Sequence, residues 1–305
     1  MLSSTYGLIN HHIWIHLSDF WLTPESVLNY AEDLFQGYRH HHNRSGYYLS
    51  LTCTHLPFGD RMCRKILNYA ERSQPPAGAR VYRASEKMNK KKDIIKCIER
   101  ISGKYSSYEV FSDWIKCCSL SISNSMDLFH GKVWKDREQA FADTMARYNS
   151  SEQEMFSKMM AMLVETLEHE TTDVLGQIYM ESGMGSKAAG QFFTPYHLSY
   201  LTAKLSMPEP DELGLYHINE PSCGGGGMII AVAQALMEKG INYQKYMRVV
   251  AQDLDWKGVY MCYLQLSLLG INATVVQGDT LSEPYKIGYP PERVLHTPAK
   301  WGILI

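Results

Sequence analysis

A chain of 305 residues in which 45% of side chains are hydrophobic is long enough for one large domain or two ordinary ones around a buried core. Its formal net charge of -2 gives no global attraction to nucleic acid, so contact with DNA needs a local basic patch or a partner's surface. The seven cysteines are an odd number without the paired spacing of a disulfide framework, which reads as a reducing, cytoplasmic compartment, and no segment reaches the roughly 18 apolar residues of a membrane span.

Three regions follow one another. Residues 1–87 are rich in His and Tyr and close on the Pro/Gly/Ala stretch from Ser73 to Arg80, which reads as a linker. His40, His41, His42, Cys53, His55 and Cys63 offer metal-binding atoms there but lack the paired spacing of a zinc site, and no metal is assigned. Residues 88–187 read as helical. Ile94, Ile95, Ile98 and Ile101 recur at helix spacing, as do Phe156, Met159, Met160, Leu163 and Leu167 after a capping box expected at Ser151 and Glu154. Lys90, Lys91, Lys92, Lys96, Arg100 and Lys104 form a dense basic cluster; a solvated helix face explains it most simply, and a phosphate-contacting face is the sharper alternative.

From residue 188 to 305 strand and helix patterns alternate. Leu215–Cys223 reads as a strand, Gly227–Gly240 as a helix, Met247–Asp255 as a strand, Trp256–Gly270 as a helix and Ile271–Thr280 as a third strand. Strands joined by helices through short connections predict a parallel, doubly wound α/β sheet.

The first strand hands over to its helix through Gly224, Gly225, Gly226 and Gly227, four residues that cost conformational entropy and pack nothing, so something has to approach the backbone closely there. In such sheets ligands bind beyond the carboxyl ends of the strands. The second strand ends in Gln252-Asp253-Leu254-Asp255, where an acid can accept from both hydroxyls of a ribose, and the third in Gly278-Asp279, where a carboxylate can accept from a purine's amino group. Glycine turn, acid and acid at successive strand ends form a nucleoside-binding layout. The chain lacks the Gly-Lys-Ser/Thr step of an ATP-hydrolysing P-loop. Cys223 and Cys262 read as small buried hydrophobes.

These residues resemble the N6-adenine DNA methyltransferases, in particular the methylation subunit of type I restriction systems. The resemblance rests on Gly190-Gln191-Phe192-Phe193-Thr194-Pro195, on Glu220-Pro221-Ser222-Cys223-Gly224-Gly225-Gly226-Gly227, on Asp253 and Asp279, and on Asp173 to Met180 before them. It implies a Rossmann-like methyltransferase sheet preceded by a helical region, S-adenosylmethionine as cofactor, and double-stranded DNA as partner. The cofactor-binding set it implies is Phe193, Thr194, Pro195, Glu220, Pro221, Cys223, Gly224, Gly226, Asp253, Leu254 and Asp279. Gly224 and Gly226 would admit the methionine part beside Glu220, Asp253 would hold the ribose and Asp279 the adenine ring, with Phe193, Thr194 and Pro195 closing over. Such a site requires Asp253 and Asp279 on one side of the molecule and open space over Gly224. Two departures stand out: Glu220 replaces an Asp, and Gly225 replaces a hydroxyl residue that would hydrogen-bond the cofactor.

The family's Asn/Asp-Pro-Pro-Tyr/Phe tetrapeptide, which holds and stacks on the flipped adenine, is not found; Pro75-Pro76 and Tyr289-Pro290-Pro291-Glu292 have the wrong neighbours. No catalytic residue is therefore assigned. The resemblance gives an N6-adenine DNA methyltransferase whose sheet is incomplete at its C-terminal side, with a catalytically inactive regulatory or anti-restriction protein as the alternative and a nucleotide-dependent oxidoreductase as a weaker third. Lys300–Ile305 would be the fourth strand in an order 3-2-1-4, an exposed edge through which a second copy or a partner subunit pairs.

Overall fold

The structure, a computed structural model, describes residues 90–184 and 193–302. The expectations for residues 1–87, for Gly190, Gln191 and Phe192, and for Ile303, Leu304 and Ile305 lie outside the described residues. Among the described residues five helices come first: α1 (Lys90–Ile101), α2 (Ser107–Ser125), α3 (Lys132–Met145), α4 (Ser150–His169) and α5 (Val174–Glu181). After residue 192 come α6 (Tyr196–Leu205), β1 (Tyr216–Glu220), α7 (Gly227–Glu238), the single turn α8 (Tyr243–Tyr246), β2 (Met247–Asp253), α9 (Trp256–Leu268), β3 (Ala273–Gln277) and β4 (Val294–His296). No described helix is long and apolar enough to cross a membrane.

The helical spacing read from the sequence is the buried face. Ile94, Ile98 and Ile101 of α1 and Phe156, Met159, Met160, Leu163 and Leu167 of α4 are all buried. The capping box of α4 lies two residues before the expected one: Asn149 Oδ1 accepts from Glu152 N at 3.1 Å while the Glu152 carboxylate accepts from Asn149 N at 2.8 Å. In the basic cluster Lys90 pairs with Glu165, Lys91 Nζ donates to Gln177 Oε1 at 2.7 Å, and Lys96 sits 2.8 Å from Asp93. Lys90 and Lys91 thus tie α1 to its neighbours α4 and α5. α2 joins the helices to the sheet by packing on α9, where Ser119 Oγ donates to Tyr260 O at 3.1 Å.

β1, β2 and β3 are adjacent and parallel, with Ile218 opposite Val249 and Val249 opposite Ala273. α7 and α9 end where the sequence places their stops. Gly240 (φ 75°) and Gly270 (φ 66°) take the left-handed conformation that closes each helix, with Ile241 N on Leu236 O and Ile271 N on Leu266 O.

The fourth strand differs from the expectation in place, direction and residues. The order is β1-β2-β3-β4, and β4 runs antiparallel beside β3 rather than parallel beside β1. Pro298 explains why Lys300 does not start a strand: it lacks an N–H for a ladder and opens a 3-10 turn, Pro298–Trp301. Thr297 Oγ1 accepts from Ala273 N at 2.9 Å and donates to Ile271 O at 2.7 Å, and Lys300 Nζ reaches Thr274 Oγ1, so the segment is pinned to β3. Arg137 of α3 donates to Val294 O at 2.9 Å and occupies a backbone acceptor of the edge strand. Among the described residues no strand pairs with the outer side of β1, and none of its five residues is buried.

Candidate cofactor site

The glycine turn is built backwards from β2. Cys223 N donates to Gln252 O at 2.9 Å, extending the β1–β2 contact beyond the strand, and Gly226 N closes the turn on Cys223 O at 2.7 Å. Gly224 (φ 47°) and Gly226 (φ 88°) hold left-handed backbone that side chains rarely adopt. Gly224 N then donates to Asp253 Oδ2 at 2.8 Å, while Asp253 Oδ1 accepts from Asp255 N at 2.9 Å. Each oxygen of this half-buried carboxylate accepts one backbone hydrogen and keeps acceptor capacity for a second donor. A Cβ on Gly258 would stand 3.2 Å from Asp253 Cγ, a tight contact that glycine avoids where α9 begins beside the acid.

Asp253 lies opposite Gln277 in the β2–β3 ladder, two residues before Asp279, so both acids sit at the carboxyl ends of neighbouring strands. Asp279 accepts from Leu281 N and from Ser282 Oγ, each at 2.9 Å, and these bonds, led by the Leu281 N–H, hold its carboxyl below the usual range. The loops are cross-tied: Thr280 Oγ1 donates to Pro221 O at 2.6 Å, Gly278 N to Asp253 O at 2.9 Å, and Gln277 Nε2 to Leu254 O at 2.8 Å. Leu254 and Leu281 are 68% and 95% exposed beside the two acids, leaving apolar surface at the strand ends. Glu220, at the end of β1, accepts from Ser222 N at 3.2 Å.

The space over Gly224, expected to be open, is instead taken by one side chain. A Cβ on Gly224 would meet Cδ1 and Cε1 of Phe193 at 2.8 Å, so the close approach that glycine permits here is that of the motif's own aromatic ring. Thr194 and Pro195 are exposed at the start of α6. Cys223 and Cys262 are both buried, and contact with Cys262 together with burial drives the Cys223 thiol well above its ordinary range, as befits a packed rather than a reactive sulfur.

Residues 170–297 match the family model for N-6 DNA methylases. The methylase subunit of the type I restriction enzyme MpnII from Mycoplasma pneumoniae is 23% identical over 185 residues, 57% of this chain and 33% of that protein. The chain thus spans about a third of the length of that relative. Among solved structures, the methyltransferase subunit of a type I restriction-modification system from Streptococcus thermophilus shares 14% identity, with 87% of this chain and 50% of that one covered at a TM-score of 0.36. A putative class I S-adenosylmethionine-dependent methyltransferase from Listeria monocytogenes shares 9%, covering 63% and 54% at a TM-score of 0.32.

The matched segment also contains a buried polar support that the sequence reading left unassigned. Asp173 caps α5, its Oδ1 accepting from Gly176 N at 2.8 Å and from Gln265 Nε2 at 2.8 Å. Gln265 Nε2 donates as well to Gly225 O at 2.7 Å, and Gln265 Oε1 accepts from Leu175 N at 3.0 Å. Gln265 therefore ties α5, α9 and the glycine turn together. Burial pushes the Asp173 carboxyl up against the pull of these donors. The signals were an Asp three residues before a Gly at a helix start and one Gln among the apolar residues of a helix body. A Cβ on Gly225 would face Met261 Cε at 3.2 Å and Asp173 Oδ1 at 3.5 Å, so a hydroxyl residue here would point into this network rather than toward a ligand.

Proposed function

We propose that these residues bind S-adenosylmethionine across the ends of β1, β2 and β3 in the service of adenine N6 methylation of DNA. The observation that carries the reading is the convergence of the glycine turn, Asp253 and Asp279 at one edge of three adjacent parallel strands. The residues fit the cofactor: Asp253 keeps acceptor capacity for ribose hydroxyls, Asp279 is held ionised as an acceptor for an adenine amino group, and Leu254 and Leu281 offer apolar faces for a purine. Glu220 is suited to the amino group of the methionine part, with Pro221, Cys223, Gly224 and Gly226 forming the floor and Phe193, Thr194 and Pro195 the wall. When bound, the cofactor supplies an electrophilic methyl group for direct attack by the adenine amino nitrogen, and the protein's part is alignment and hydrogen-bond acceptance.

These 305 residues contain no Asn/Asp-Pro-Pro-Tyr/Phe tetrapeptide, so cofactor binding is assigned to them and the pocket for the flipped base is not. A cofactor-binding regulatory protein without transfer activity is the alternative that the test distinguishes. Double-stranded DNA and a partner subunit are the partners proposed. For the subunit the side of β1 on which no described strand pairs offers better support than β4, whose Val294 carbonyl Arg137 already occupies. Calorimetry with S-adenosylmethionine, run beside tritiated methyl transfer to DNA, tests this. Binding with transfer supports the methyltransferase, binding without transfer the regulatory reading, and no binding sinks both.

A further inference from the structure

Lys257 lies in the first turn of α9, two residues beyond Asp255, and its side chain is only 5% exposed. A buried ammonium is costly unless it is paired or held by dipoles, so its surroundings indicate what it holds in return. Its Nζ stands 4.6 Å from the ring centre of Tyr179 and 4.8 Å from that of Tyr108, donates to the Tyr179 hydroxyl at 3.0 Å, and lies 3.5 Å from Asp255 Oδ2. One tyrosine comes from α2 and the other from α5, so the cation fastens two helices of the helical region to the helix that starts beside the candidate ribose acid.

A continuous path runs from this cage to the glycine turn. Tyr179 is fully buried and meets Phe193 edge-on, with ring centres 5.1 Å apart and planes at 64°. Phe193 in turn lies against Gly224. The Tyr179 ring is thus held by the ammonium, packs also against Phe111 and Tyr108, and meets the ring that lies against the turn.

We infer that Lys257 is a positioning residue of the cofactor site: gripping Tyr179, it fixes the Phe193 ring that forms the wall beside the methionine part of S-adenosylmethionine. This inference rests on the cofactor reading above. It separates two parts of one ligand. The nucleoside part meets Asp253 and Asp279, which Lys257 approaches only by way of Asp255, whose N–H donates to Asp253, whereas the methionine part meets the turn beside the Phe193 ring that lies against Gly224.

The test compares S-adenosylmethionine with 5′-methylthioadenosine, which keeps the nucleoside and lacks the amino-acid part, by calorimetry on the full chain. Lys257→Met keeps the aliphatic stem and removes the charge. It is expected to weaken S-adenosylmethionine about tenfold, on the scale of a desolvated cation–π contact, and to leave 5′-methylthioadenosine within about twofold. Lys257→Arg, which can also stack its cation on tyrosine faces, is expected to recover most of the loss. If Lys257→Met does not fold, Tyr179→Phe carries the test by removing only the hydroxyl that accepts from Lys257, with about a threefold loss confined to S-adenosylmethionine. Unchanged affinity, or equal loss for both ligands, overturns the inference while leaving the cofactor reading in place. Failure of the unmodified chain to bind S-adenosylmethionine removes the reading and the inference together.

Discussion

The Asp253 carboxylate and the Gly224 backbone amide are joined at 2.8 Å, so the acid that ends β2 also fixes the turn that follows β1. The same side chain therefore has a structural task and a proposed ligand task. Asp253→Asn separates them imperfectly but measurably: its amide nitrogen must face either Gly224 N or Asp255 N, donor against donor, and one of the two bonds is lost. The expected outcome is a stability loss of about 1–3 kcal/mol in urea and an S-adenosylmethionine affinity at least about tenfold weaker by calorimetry.

The glycines of the turn are not equivalent. At Gly226 the backbone is left-handed and a Cβ would press on Cys262 Sγ at 3.2 Å and Cys262 Cα at 3.4 Å, one of them backbone that cannot yield. Gly226→Ala is expected to cost about 1–3 kcal/mol in urea unfolding. Gly225 has no positive φ, and its nearest neighbour is the flexible end of Met261. Gly225→Ser is expected to stay within about 1 kcal/mol of the parent and to leave S-adenosylmethionine affinity unchanged, because the hydroxyl faces Asp173.

Much of this site was legible because its signals are local. A strand ending in Gln252-Asp253, a run of glycines and a helix stopped by Gly240 each announce a backbone requirement within a few residues. The sheet order was not legible in the same way. Where β4 lies depends on Thr297 bonding to Ile271 and Ala273 and on Arg137 reaching Val294 from 157 residues away, contacts that no short pattern records. The reason for Gly224 was half legible: something does approach the backbone, and that something is Phe193, a contact across 31 residues that no short pattern records. Asp173 and Gln265 escaped because their bond spans 92 residues and each alone looks like an ordinary cap or a stray polar residue.

That buried pair gives a sharp comparison. Both donors to Asp173 reach the same oxygen, Oδ1, which the carbonyl of an Asn can replace. Asp173→Ala removes the cap and strands the Gln265 amide, and is expected to cost about 2–4 kcal/mol. Asp173→Asn should stay within about 1 kcal/mol. Because burial raises the native carboxyl, the ionised form is the disfavoured one and its cost enters as pH rises through the folded-state value, so the Asn variant gains on the parent as pH increases. Urea unfolding of the three proteins at acidic and neutral pH checks both statements.

His296 supplies the opposite pH signature at the far side of the sheet. It sits in β4 with Nδ1 3.2 Å from Thr274 Oγ1 and its ring edge-on to Trp301, and burial, followed by the charges of Lys300 and Arg137, lowers it from 6.5 to about 4. The folded chain therefore keeps this imidazole neutral while the unfolded chain takes up a proton below about pH 6.5, so more protons are bound in the unfolded state between these values. Stability from this group is complete above that range and declines as the pH falls toward 4. Its partial exposure makes the effect modest. His296→Gln should flatten the fall of the urea midpoint between about pH 7 and pH 5. Equal slopes for parent and variant would show that His296 charges as freely when folded as when unfolded, and that the Thr297 pin does not hold β4 against β3 in solution.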